Sequence, residues 1–275
     1  ELGINTTFLN PKKIKIYGSG GKMAPLNNNI PYPIDLEENA IQVIGENDGV
    51  FNDSDYALFY GEGVDNWSEE NQTNINLYSS KAYYYINIDG ADGKRMSTLI
   101  EPTEAATVTL TKYDDYHFHE VDLTNIGRLG RTWFGEDFSN DDDQSFIFNI
   151  PNISTSDPLD IRIHVGGKSF AETKFSVKLN NQNLGSGQII VPAIDDGIEA
   201  THATLIATAT ATPLINVNLK YDNSGVPTSK GHLDFINIKS KSNLKGFGKQ
   251  YRFQYNLASS STGVVAYQFS TANNI

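Results

Sequence analysis

Residues 45–55 (GENDGVFNDSD) gather four carboxylates, Glu46, Asp48, Asp53 and Asp55, on a Gly- and Asn-rich stretch. Calcium takes about six to eight oxygen ligands, and closely spaced Asp and Asn on a turn supply several of them. The spacing of a helix–loop–helix calcium loop, with its bidentate Glu at the end, is missing. The competing reading is an Asx-rich hairpin turn, in which these side chains accept hydrogen bonds from their own backbone.

A second grouping is His117-Phe118-His119. Strand alternation would place His117 and His119 on one face, where two imidazoles can share a transition metal. Asp114, Asp122 and His232 are candidates for the third ligand. The same pair serves equally as hydrogen-bonded histidines near a sheet edge.

Nucleophilic chemistry has little to build on. The chain has no cysteine, which excludes disulfides, thiolate zinc sites and a cysteine nucleophile within it. No G-x-S-x-G elbow occurs, and His164 and His202 lie in strand-like stretches without a nucleophile motif. Carboxylate pairs for glycoside hydrolysis are defined by spatial separation, so 33 acidic residues identify none. No catalytic residue is assigned, and no cofactor is expected beyond the calcium option.

Aromatic side chains point to binding. Trp67, Tyr78, Tyr83, Tyr84, Tyr85, Trp133 and Phe134 can stack on sugar rings or build a core, and Trp67 and Trp133 are the ligand-facing candidates. Arg131 stands near Trp133 in GRTWFG, which allows cation–π packing. Because successive strand residues face opposite ways, at least one of Tyr83, Tyr84 and Tyr85 should be buried.

The elements that must position these residues read as strands. Net charge is −12 over 275 residues, which disfavours a nucleic-acid partner. No apolar run approaches the roughly 20 residues of a membrane-spanning helix. The dominant period is two, in runs at 14–17, 40–44, 56–60, 82–88, 107–110, 116–121, 146–150, 161–165, 175–179, 189–191, 214–219, 233–238 and 264–269. The Ala-rich run at 199–211 also favours a strand through its Thr alternation. The expectation is an all-β chain: an irregular β-rich N-terminal half (1–104), then a jelly-roll-like β-sandwich (105–275). Gly231–Ile236 reads as a closing core strand after a loop at 223–229.

Several ordered motifs resemble one family. They are LNPKKIKIYGSGGKMAP (9–25), DLEENAIQVIGENDGVFNDSDYALFYGEGVDNW (35–67), NLYSSKAYYYI (76–86), GKR (93–95), HEVDLTNIGRLGRTWFGEDF (119–138), FNIPNI (148–153) and GHLDFINIKSKSNLKGFGKQYRFQ (231–254). Together they resemble the region preceding the peptidase domain in the gingipain-like sortases of the Bacteroidetes type IX secretion system. The resemblance implies an exported protein at the outer membrane or cell surface. In that family a cysteine peptidase removes the C-terminal sorting domain of secreted cargo and helps attach the cargo to lipopolysaccharide. Its Cys and His lie in a later domain, so no catalytic residue carries over to this chain. The opening Glu1-Leu2-Gly3 looks like the interior of the family's first segment. The chain is thus expected to be a non-catalytic accessory or scaffolding region. Its implied partners are the downstream peptidase domain of the same chain, secretion cargo, other secretion-system components or surface glycan. The residues alone leave two alternatives: a carbohydrate- or lipopolysaccharide-binding β-sandwich module, and a calcium-stabilised adhesin-type module.

Overall fold

The computed structural model describes residues 5–6, 8–127, 130–246 and 252–271. The opening Glu1-Leu2-Gly3, and parts of two family-like motifs at 128–129 and 247–251, lie outside the described residues. The chain divides into two compact units, Glu1–Glu101 and Pro102–Ile275. No described helix is long and apolar enough to cross a membrane.

The first unit holds β1 (Lys15–Tyr17), β2 (Glu38–Asn39), β3 (Ile41–Ile44), β4 (Tyr56–Phe59) and β5 (Tyr85–Asn87). β1 sits between β2 and β5, all antiparallel, and β3 pairs with β4 as a hairpin. Alternation turns Ile14, Ile16, Ile41 and Val43 into a small core, flanked by Leu9, Phe51, Ala57, Tyr84 and Ile88. The expected strand at 82–88 shortens to β5 because Tyr84 is used elsewhere. Its hydroxyl accepts from the Glu62 N–H (2.6 Å) and donates to the Glu62 carbonyl (3.1 Å). Tyr84 packs on the core, whereas Tyr83 and Tyr85 are exposed.

The second unit is built from β6 (Val108–Leu110), β7 (Lys112–Glu120), β8 (Asp143–Asn149), β9 (Pro158–Lys168), β10 (Thr173–Leu179), β11 (Gln182–Val191), β12 (Thr201–Thr210), β13 (Leu214–Asp222), β14 (Lys230–Asn243) and β15 (Val265–Tyr267). Two four-stranded antiparallel sheets, β11-β10-β13-β8 and β12-β9-β14-β7, supply one shared core. With the eight sandwich strands counted in chain order, their orders are 5-4-7-2 and 6-3-8-1. That interleaving is the double Greek key of a jelly roll. β6 and β15 form a separate parallel pair.

The Ala- and Thr-rich run becomes β12. Ala203, Leu205, Ala207 and Ala209 pack against the core, and the β-branched Thr204 and Thr208 take the opposite face. β14 runs through the middle of its sheet, between β9 and β7, so most of its residues are buried on both faces.

Candidate functional site

The second face of the β12-β9-β14-β7 sheet carries a close group of titratable side chains. Period-two alternation sends Ile161, Ile163, Val165, Ile236 and Ile238 into the sandwich core. The intervening residues, Arg162 and His164 on β9, Phe235 and Asn237 on β14 and Glu120 on β7, therefore share the opposite face. Phe235 aligns with both His164 and Glu120. A register shift between Leu233 and Phe235 leaves Asp234 as an extra residue in β14, the usual way a bulge re-aims a side chain.

The segment after β7 covers this face. The Phe134 N–H donates to the Thr124 carbonyl (2.8 Å), and the Gly135 N–H to the Leu233 carbonyl (2.7 Å). The Leu233 N–H donates to the Glu136 carbonyl (3.1 Å) and the Phe138 N–H to the Gly231 carbonyl (2.9 Å). Residues 134–138 thus continue the sheet beside β14 beyond the point where β7 leaves it. The buried Phe134 ring lies against Gly166, where an added Cβ would fall 2.4 Å from it. Only glycine accommodates so close an approach.

Beneath this cover, carboxylate oxygens of Glu120, Asp122 and Asp234 all lie within 4.8 Å of one another. Among the described residues this is the grouping with metal-ligand spacing. Glu120 and Asp234 are 7% and 3% exposed. Asp234 Oδ2 is 2.5 Å from His164 Nδ1, and His164 Nε2 is 3.0 Å from His202 Nδ1. Burial, with Asp122 nearby, pushes the Asp234 carboxyl up to about 8 against the opposing pull of Arg162. Burial, reinforced by Arg162, draws His164 down to about 4. Burial also raises Asp122, and burial and His164 lower His202.

At neutral pH these shifts place the proton on Asp234. Its O–H donates to His164 Nδ1, and the His164 Nε2–H donates to His202 Nδ1, giving a chain of neutral groups that leads towards the surface. Three convergent carboxylates are also a hard ligand set of the kind that holds calcium. A cation there and a proton on Asp234 are alternative ways to relieve the same repulsion.

The sequence candidates fall elsewhere. Glu46 pairs with Arg95 (2.8 Å), whose guanidinium also donates to the carbonyls of Ile14 and Pro11. Asp48 accepts from the Val50 N–H and the Asn52 amide, and Asp55 from the Asn52 N–H. Glu46, Asp48, Asp53 and Asp55 do not gather into a ligand cluster. His117 lies 3.2 Å from Asp115, and His119 Nε2 lies 2.7 Å from Glu136 with its ring against Phe146. Of the third-ligand candidates, Asp114 pairs with Lys241, Asp122 joins the carboxylate group and His232 packs near Phe134. Trp67 is half-buried and donates to Glu69 (2.8 Å), whereas Trp133 is 42% exposed; the two belong to different units.

Glu120, Asp234, His164 and His202 were not singled out as a group by their spacing. The available signal was Asp234 itself, an acid inside the apolar HLDFI run, which alternation on a buried strand does not call for.

No protein-family model matches the chain, and no curated protein matches it. Among solved structures, dimeric latent PorU from Porphyromonas gingivalis superposes with a TM-score of 0.70 at 18% identity, over 90% of this chain and 23% of PorU. A CBM36 domain of a xylanase from the hindgut metagenome of Trinervitermes trinervoides matches 45% of this chain and 96% of its own, at 9% identity and a TM-score of 0.30. A CBM36 carbohydrate-binding module in complex with calcium and xylotriose matches 47% of this chain and 99% of its own, at 18% identity and a TM-score of 0.29. Those two superpositions are too loose to carry an argument. The fold of this chain is that of a stretch making up about a quarter of PorU.

Proposed function

We propose that the chain is a non-catalytic accessory region of a gingipain-like sortase acting on type IX secretion cargo at the outer membrane or cell surface. The carrying observation is the fold shared with part of PorU over 90% of the chain. Two further facts support the reading: the family-like motifs run in order along the chain, and there is no cysteine to act as a nucleophile. The region's work is then to hold a peptidase domain and present cargo to it. A rigid eight-stranded sandwich suits that task, because its buried core fixes the surface loops against which a neighbour packs.

The test uses a cargo protein with a C-terminal sorting domain. The 275-residue chain alone should leave it intact. Removing the region from the sortase polypeptide that carries it should abolish processing, while a small cysteine-directed probe still labels the peptidase domain. Cleavage by the chain alone, or undiminished processing without it, overturns the proposal.

A further inference from the structure

β12 lies at one edge of its sheet and pairs on one side only, with β9. An edge strand offers a row of unpaired N–H and C=O groups, which natural sheets blunt with charge, Pro, bulges or brevity. The other sandwich edges carry such devices. β7 holds Lys112, Asp114, Asp115 and Glu120, and β11 has Gly185 and Gly187 in the left-handed region. β8 is seven residues long and opens on Asp143. β12 (THATLIATAT) has none of these protections. Its ten residues include no Asp, Glu, Lys, Arg, Pro or Gly, and all ten pair in unbroken register with β9.

Which backbone groups face outwards follows from that register. The Lys241 carbonyl of β14 accepts from the Ser154 N–H on the β9 side (2.7 Å). Opposite it on β7, the Asp114 N–H turns away from β14, to the Gln254 carbonyl (2.7 Å). Backbone direction alternates along a strand, so Asn237 bonds towards Arg162, and Ile161 and Ile163 bond towards Ala207 and Leu205. Thr204, Ile206 and Thr208 therefore send their N–H and C=O outwards. Among the described residues no backbone group meets them there. Their side chains share the outer face of the strand, where Ile206 is 71% exposed.

The strand is also its own complement. Laid antiparallel about a two-fold axis at Ile206, a second β12 sets Ile206 opposite Ile206 and Thr204 opposite Thr208 of the other copy. On the core face Leu205 then meets Ala207 and Ala203 meets Ala209, closing over side chains that one sheet leaves only partly buried. Thr–Thr and β-branched cross-strand pairs stabilise a sheet. No like charges meet across this line, although each chain carries a net −12. We propose that two copies of this chain join edge to edge through β12, merging their β12-β9-β14-β7 sheets into one continuous sheet. The contact is narrow, so the dimer belongs with weak, concentration-dependent associations.

Sedimentation of the whole chain should show a monomer–dimer equilibrium between micromolar and high-micromolar protein. Ile206→Lys and Ile206→Glu each put like charges directly opposite one another. Each should weaken association at least about tenfold, with thermal melting of the dilute chain unchanged. Because Ile206 faces itself, mixing the two variants should restore the dimer. The chain has no cysteine, so single-cysteine variants read the register directly. Opposed residues that exchange backbone bonds lie about 5.5 Å apart between Cα atoms, within disulfide reach. Under mild oxidation Ile206→Cys should cross-link with itself, whereas Thr204→Cys should cross-link only when mixed with Thr208→Cys. A monomer at every concentration would overturn the inference. So would a dimer indifferent to both charged variants, or Thr204→Cys linking to itself as readily as Ile206→Cys.

Discussion

Asp234 and His164 titrate against each other, and their shifts set a definite pH dependence. Asp234 rises from an ordinary value of 3.8 to about 8, so its stabilisation is full below about 4 and is lost as pH rises towards 8. His164 falls from 6.5 to about 4, so its stabilisation is present above 6.5 and lost as pH falls towards 4. Between about 4 and 6.5 the folded and unfolded chains hold the same number of protons on this pair, so what Asp234 loses with rising pH His164 gains, and their pH dependences cancel. Above 6.5 only the folded chain keeps one. With divalent cations chelated, stability should therefore fall by about 1 kcal/mol between pH 6.5 and 8, steepest near pH 7 at about 1 kcal/mol per unit. Asp234→Asn keeps a donor for His164 Nδ1 and should flatten that fall in denaturant titrations at successive pH values. An unchanged slope in the variant would place the titration elsewhere. Added calcium separates the two ways of relieving the carboxylates: if it binds there, it stabilises the natural chain and not the variant.

At the scale of elements, the period-two runs marked where strands form because half-buried strands need an alternating pattern. Residues 199–211 show how far this goes: Ala and Leu pack on the core and Thr faces away, so a run with good helix formers is a strand. Tyr84 shows where it stops. The YYY run has strand character, but a hydroxyl bonded to Glu62, 22 residues away, halts the strand. The covering segment at 134–138 is likewise invisible to local pattern, since it is held by backbone bonds to β14, far along the chain. Its packing makes Gly166 a sensitive position. Gly166→Ala should displace Phe134 and cost about 2–3 kcal/mol, read as a lower denaturant midpoint with an unchanged m-value. A midpoint equal to that of the natural chain would mean that Phe134 does not need this contact.

For the molecule as a whole, the two units differ sharply in what they bury. The sandwich core draws on both four-stranded sheets, whereas the first unit centres on Ile14, Ile16, Ile41 and Val43. A fragment of residues 102–275 should therefore melt cooperatively by itself, and residues 1–101 alone should show no sharp transition by circular dichroism or calorimetry. A cooperative melt of the smaller piece would show that its core suffices. The sequence by itself determined the all-β class, the positions of most strands and the absence of a cysteine nucleophile, because each follows from composition or from a period that a single strand carries. Tertiary structure decided which groups meet. Glu120, Asp122, His164, His202 and Asp234 come from four strands and the residues that follow one of them, and only antiparallel register and one bulge bring them within bonding distance. The folded chain also gives Glu46 to Arg95 and Asp114 to Lys241, while Asp122 joins the carboxylate group, so residues that spacing put forward as ligands have other partners. Spacing along one strand fixes which face a side chain takes, but its partner is fixed by the neighbouring strand.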